Sequence, residues 1–151
     1  MKQKNNNILF VCTGNTCRSP FAQAVFNAQA QARGLACRAE SCGLAAMAGQ
    51  PPFPEGVQAA VRLGYQMEEM RSRPCSQYLL EWADEIHVMS PSHLAALQSA
   101  GPEIAAKARL LAEQGIPDPF GGGPQAYDRA YAAIEQAVKA LLDRLEQEDG
   151  Q

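Results

Sequence analysis

The chain has 151 residues, 46% of them hydrophobic and 19% charged, with 12 glycines and 10 prolines. That is the length of one domain and an ordinary globular composition, which excludes disordered, collagen-like and low-complexity classes. Thirteen basic against 16 acidic side chains give a formal charge of -3, so general nucleic-acid binding is not expected.

Asn7 to Cys12 is a short apolar run and reads as a buried strand. A small-residue loop follows, and Ser19 and Pro20 open a helix as N-cap and first helical residue. Phe21, Val25, Ala28 and Ala32 give this helix its apolar spacing, and Gly34 closes it. Leu35 to Ser41 alternates as a second strand, and residues 42–54 are a loop rich in Gly, Pro and Ala. Glu55 to Leu63 reads as a helix with Val57, Ala60 and Val61 inward, ended by Gly64. Ser76 to Ala83 is a short helix, Glu85 to Met89 a third strand, and Ser90–Pro91 begin a helix that runs to Ala100. Ala108 to Leu111 is a weak fourth strand, and Gly115 to Pro124 is dense in turn residues. The last helix starts near Gln125, with a stripe of Tyr127, Ala130, Tyr131, Ile134, Val138, Leu141 and Leu145.

Strands and helices alternate without a linker or repeat. The expectation is a single α/β domain over 1–151 with a mainly parallel sheet, frayed at 1–6 and 147–151. No apolar run is long enough to span a bilayer, and the basic start lacks the features of a signal peptide. A cytoplasmic protein is therefore expected. Its five cysteines, Cys12, Cys17, Cys37, Cys42 and Cys75, are then expected as free thiols unless they do chemistry. No ligand spacing calls for a metal.

The segment Cys12-Thr13-Gly14-Asn15-Thr16-Cys17-Arg18-Ser19-Pro20 links the first strand to the first helix. Successive N–H groups of such a loop form a nest, and the helix start adds its unpaired N–H groups. Arg18 contributes a planar fork that can grip two phosphate oxygens. The same positive field favours the thiolate of Cys12, and Ser19 can donate to that sulfur or cap the helix. The outcome is a phosphate-sized cup with a nucleophile at its base. A proton donor is needed on the far side of phosphorus. Asp118, framed by Pro117 and Pro119 after the fourth strand, lies on a loop expected at the same sheet edge.

Cys12-x5-Arg18-Ser19-Pro20 together with the distant Asp118-Pro119 resembles the low-molecular-weight protein tyrosine phosphatase family. The resemblance implies a three-layer, flavodoxin-like fold with a four-stranded parallel sheet flanked by helices. It implies a phosphocysteine mechanism without cofactor. Cys12 would be the nucleophile, Arg18 the phosphate-binding arginine and Asp118 the acid, with residues 13–19 forming the phosphate loop. Asn15, Ser19 and Ser41 would support that loop, and Cys17 would be a redox partner able to trap Cys12 as a disulfide. Partners would be phosphorylated proteins, with no nucleic acid or membrane, and the molecule a monomer.

Within the family, the strings CTGNTCRS and DPFGG look most like bacterial protein arginine phosphatases. Thr13 and Thr16 stand where tyrosine-specific members place Leu and Ile. Thr16, Phe120 and Met47 are the candidate specificity residues, and the 44–53 loop, with Met47 and Phe53, should flank the pocket mouth. Two positions depart from the pattern. Met70 replaces a histidine that braces the loop asparagine, and Gln23 replaces a glutamate. Phosphotyrosine is the competing substrate. An arsenate reductase relay would need a cysteine pair far beyond the first loop, where only Cys75 lies past residue 42. A non-catalytic phosphoprotein-binding module would not need Cys12, Arg18 and Asp118 together.

Overall fold

The computed structural model describes residues 6–149, in the order β1 (Asn7–Cys12), α1 (Arg18–Ala32), β2 (Arg38–Gly43), α2 (Pro54–Leu63), α3 (Gln77–Trp82), β3 (Glu85–Val88), α4 (Pro91–Gln98), α5 (Pro102–Lys107), β4 (Ala108–Leu110) and α6 (Gly123–Asp149). The strands form one parallel sheet, ordered β2-β1-β3-β4. Strand β1 sends alternate side chains to opposite faces. Ile8, Phe10 and Cys12 join the core under α1, α2 and α6, while Leu9 and Val11 join the one under α3, α4 and α5. The result is three layers, helices on both faces of a sheet.

The order places β1 between β2 and β3, so the chain leaves β1 toward one edge and resumes at β3 on the other side. Parallel sheets open a crevice at that reversal, beyond the carboxyl ends of the strands. The loop after β1 and the start of α4 after β3 flank it. No helix among the described residues is long and apolar enough to cross a membrane.

The expected stripe of α6 is buried throughout, from Tyr127 to Leu145. Other expectations shift. Ser19 does not cap α1: Cys17 takes the cap position without a side-chain bond, because the Ser19 hydroxyl is engaged within the loop. The buried face of α1 is Phe21, Ala22, Val25, Phe26 and Ala30, and Ala28 and Ala32 lie outside. On α2, Val61 is exposed and Ala59 buried. Strand β2 starts at Arg38, later than expected, because Gly34 and Leu35 close α1 through bonds to Gln31 and Ala30 carbonyls. The helix expected to run to Ala100 ends at Gln98, and Pro102 opens the separate helix α5.

The termini also differ from the fraying expected of them. Asn6 is buried and its carbonyl accepts from the Arg38 N–H. Helix α6 starts at Gly123 and continues through Gln147 to Asp149, its last turns braced by the Arg144–Glu148 pair at 2.9 Å. The remainder of the expected frayed segments, 1–5 and 150–151, lies outside the described residues.

The free-thiol expectation fails at one pair. Cys42 and Cys75 form a disulfide across 33 residues. Residues 73–75 run beside the end of β2, with Gly43 N–H on the Arg73 carbonyl and Cys75 N–H on the Gly43 carbonyl. That pairing brings the two sulfurs together.

Candidate active site

The loop from Thr13 to Cys17 turns at the crevice between β1 and β3. Its carbonyls face outward: Cys12 and Thr13 accept from the N–H groups of Leu44 and Ala45, each at 2.9 Å, and Thr16 from Phe53 at 3.0 Å. A trans peptide points its C=O and N–H in opposite directions. The N–H groups that follow those carbonyls therefore turn inward, as an anion nest requires.

Asn15 holds the bend, with a φ of 56° that asparagine tolerates better than most side chains. Its Nδ2 donates to Ser19 Oγ at 2.8 Å and to Ser41 Oγ at 3.0 Å. Its Oδ1 accepts from the Arg73 N–H at 3.0 Å. Ser19 Oγ thus already accepts a bond from Asn15; it lies 2.9 Å from Cys12 Sγ, a contact in which either atom can donate, and 3.5 Å from the Cys42 carbonyl oxygen. Ser41 in turn donates to Gln23 Oε1 at 2.7 Å. The supporting roles expected of Asn15, Ser19 and Ser41 fall into one connected network.

Met70, where the resemblance expects a histidine, packs against the core, and the Arg73 backbone N–H is bonded to Asn15. Arg73 is itself held, with Nε on the Ser41 carbonyl at 2.9 Å and its guanidinium on Glu40 at 2.6 Å. The sequence reading assigned nothing to Arg73 and left Gln23 without a role. The one available signal was that Arg73 lies three residues after the departing Met70.

Arg18 is buried, with its guanidinium donating to the Ile116 carbonyl at 2.8 Å. Its other terminal nitrogen stands 3.9 Å from Asp118 Oδ2. Asp118 is mostly exposed, and its Oδ1 accepts from the Phe120 N–H at 3.1 Å. The loop after β4 is anchored to the crevice by the Ile116 N–H on the Met89 carbonyl, at 2.7 Å. A cavity of about 240 Å³ lies between the two loops, reached by Cys12 and Arg18, walled by Thr13, Thr16, Phe53 and Phe120, with Asp118 beside Arg18. The Phe53 and Phe120 rings are 5.2 Å apart.

Of the three expected specificity residues, Thr16 and Phe120 line the cavity and Met47 does not. Met47 is 71% exposed, turned outward where its carbonyl accepts from the Ser72 hydroxyl. Cys17 also lines the cavity, and neither it nor Cys12 is in a disulfide. Burial pushes the Cys17 thiol up to about 12, so it stays protonated at neutral pH. The Tyr131 hydroxyl donates to the Cys17 carbonyl at 2.9 Å, tying α6 to the loop. One further contact was not foreseen: Thr13 Oγ1 lies 2.8 Å from His93 Nε2. The Ser90–Pro91 helix start was legible, but not the strand order that carries it to this loop.

Comparison with known proteins adds an independent line. Residues 7–151 match the family model for low molecular weight phosphotyrosine protein phosphatase. The chain is 31% identical over 147 residues to the protein-arginine-phosphatase of Bacillus subtilis, covering 93% of this chain and 97% of that one. It is 31% identical over 149 residues to the low molecular weight protein-tyrosine-phosphatase Wzb of Salmonella typhi, covering 96% and 97%. Among solved structures, the YwlE arginine phosphatase mutant with a phosphorylated active-site serine superposes with a TM-score of 0.87 at 29% identity, covering 93% of this chain and 95% of that chain.

Proposed function

The chain belongs to the low molecular weight phosphotyrosine protein phosphatase family and is a protein phosphatase, and on that premise we propose that Cys12, Arg18 and Asp118 carry the reaction and that phosphoarginine is the preferred substrate. Cys12 Sγ attacks phosphorus in line with the leaving group. The bond from phosphorus to nitrogen (or oxygen) breaks, its electron pair stays on the leaving atom, and Asp118 supplies the proton. Water then attacks the phosphocysteine, Asp118 takes its proton, and Cys12 leaves as thiolate. The Arg18 fork and the inward N–H groups of Thr13, Gly14 and Cys17 stabilise charge on the equatorial oxygens.

The observation that carries this reading is the shared cavity: Cys12, Arg18 and Asp118 line the same 240 Å³ space, and Ser19 is within bonding distance of the sulfur. The neighbour with a phosphorylated active-site serine is consistent with phosphate transfer to the side chain at that place. Phosphoarginine is favoured by the hydroxyls of Thr13 and Thr16 in the wall, because a polar, slim phosphoguanidinium can bond to them. The reading includes one catalytic domain across the chain, phosphoprotein substrates, a cytoplasmic monomer, no cofactor or metal, and Cys17 as the redox partner of Cys12.

A phosphotyrosine reading is favoured by one feature, the Phe53–Phe120 pair, which could clasp an aryl ring. Matched phosphoarginine and phosphotyrosine peptides separate the two, with Cys12→Ser as the inactive reference. The expected outcome is a higher kcat/KM on phosphoarginine. Thr16→Ile should lower that value and raise turnover of phosphotyrosine. The reverse preference in the parent protein would reject the substrate assignment.

A further inference from the structure

His93 has no part in the chemistry above, yet it touches the catalytic loop. It sits in the first turn of α4, where the Ser90 hydroxyl accepts from its N–H at 3.4 Å. The side chain is buried, with the residue only 5% exposed. Nε2 lies 2.8 Å from Thr13 Oγ1, and among the described residues Nδ1 has no hydrogen-bond partner. The contact follows from topology, because β3 delivers α4 to the crevice directly beside the loop after β1.

Burial and the nearby Arg18 guanidinium keep the imidazole below its ordinary value, with the Asp118 carboxylate opposing. The ring is therefore neutral at neutral pH and carries one proton. On Nδ1, that proton would make a buried donor with no acceptor. On Nε2, it is donated to Thr13 Oγ1 and leaves Nδ1 as a bare lone pair. Orphaned buried donors are rarer than under-satisfied acceptors, so the packing favours the Nε2–H form. Thr13 Oγ1 then has its position fixed and keeps a second lone pair and its own proton. Thr13 is exposed and lines the cavity, so both are available to a bound substrate.

We infer that His93 is a positioning residue that fixes the Thr13 hydroxyl in the cavity wall as a contact for a polar leaving group, favouring phosphoguanidinium over phosphoaryl substrates. This rests on the phosphatase site proposed above. The bridging nitrogen of a phosphoguanidinium carries an N–H that the free Thr13 lone pair can accept. The bridging oxygen of a phosphoaryl group carries no hydrogen, and its ring is better served by an apolar wall.

The test is the ratio of kcat/KM for phosphoarginine over phosphotyrosine peptides in Thr13→Val, His93→Leu, His93→Gln and the Thr13→Val/His93→Leu double variant. Each of the first two should lower the ratio about fivefold, the worth of one neutral hydrogen bond, mainly through KM for the phosphoarginine peptide. The double variant should fall no further, since both changes remove the same contact. His93→Gln should restore the ratio, because its amide N–H reaches where Nε2 stood. A ratio unchanged in His93→Leu, with both activities falling together, would reduce the ring to packing and overturn the inference. Should His93→Leu not fold, Thr13→Val reads the same ratio from an exposed position, and no change there overturns it equally. A parent protein that prefers phosphotyrosine rejects the earlier substrate assignment alone. A further fall of the ratio in the variants would still uphold the His93–Thr13 contact.

Discussion

Asn15 shows how much geometry one side chain can carry. Three hydrogen bonds tie it to Ser19, Ser41 and the backbone of Arg73, while its backbone occupies a left-handed conformation. Replacing it by glycine keeps that conformation accessible and removes only the bonds. Asn15→Gly should therefore lower kcat about tenfold or more, because the Ser19 hydroxyl loses the bond that holds it beside Cys12 Sγ. It should cost about 3 kcal/mol of stability, from three bonds worth roughly 1 kcal/mol each. Peptide turnover and a denaturant melt measure the two effects separately. A kcat equal to that of the parent would show that Ser19 finds the sulfur without help. The resemblance named Asn15, Ser19 and Ser41 as loop supports. It could not name Gln23 or Arg73, whose parts depend on which groups pack beneath the loop.

At the scale of elements, the loop after β1 is shaped by the end of β2 as much as by β1 and α1. Gly43 closes β2, and a Cβ there would stand 2.6 Å from the Thr13 carbonyl oxygen and 3.0 Å from the Asn15 nitrogen. Both are backbone atoms of the loop, so neither can swing aside as a side-chain tip could. Gly43→Ala should push the loop off its inward N–H geometry. The expected cost is about 1–3 kcal/mol, the usual range for overpacking, with a loss of kcat/KM larger than that of a surface control. Chemical denaturation and steady-state kinetics are the measurements, and a variant with parental kinetics would separate β2 from the loop. The sequence placed a loop after the second strand at this point, but the strand itself continues through Gly43. The Cys42–Cys75 pairing beside it was equally out of reach, because cysteine spacing does not encode which segments run side by side.

At the scale of the whole molecule, the edge away from the crevice is held by charge. Glu85, at the start of β3, is bonded by Arg144 of α6 at 2.6 and 3.2 Å and by His87 Nε2 at 3.0 Å. Burial raises the Glu85 carboxyl, but the His87 and Arg144 bonds outweigh it and hold the group well below the ordinary carboxylate range. The unfolded chain therefore binds that proton more readily than the folded one. The resulting stability is complete above the unfolded value of about 4.3 and is lost as pH falls below it. Arg144→Gln should lower stability at neutral pH by about 2 kcal/mol, the scale of a charged hydrogen bond, and give a shallower loss in acid. Denaturant melts from pH 7 to 3 check both. Parallel acid limbs for parent and variant would remove Glu85–Arg144 from the account.

The sequence by itself determined what repeats or what acts within a few residues. The apolar run of β1, the stripe of α6, the stop at Gly64 and the span from Cys12 to Arg18 are local signals. Each is set by the period of one element or the reach of one loop. Asp118 was legible because its prolines and its place after a strand set it at the right sheet edge. Tertiary structure decided the rest. It set Arg73 against Asn15 across 58 residues and His93 against Thr13 across 80. It turned Met47 outward and joined Cys42 to Cys75. These contacts depend on strand order and on which segments lie side by side, and no local period encodes either.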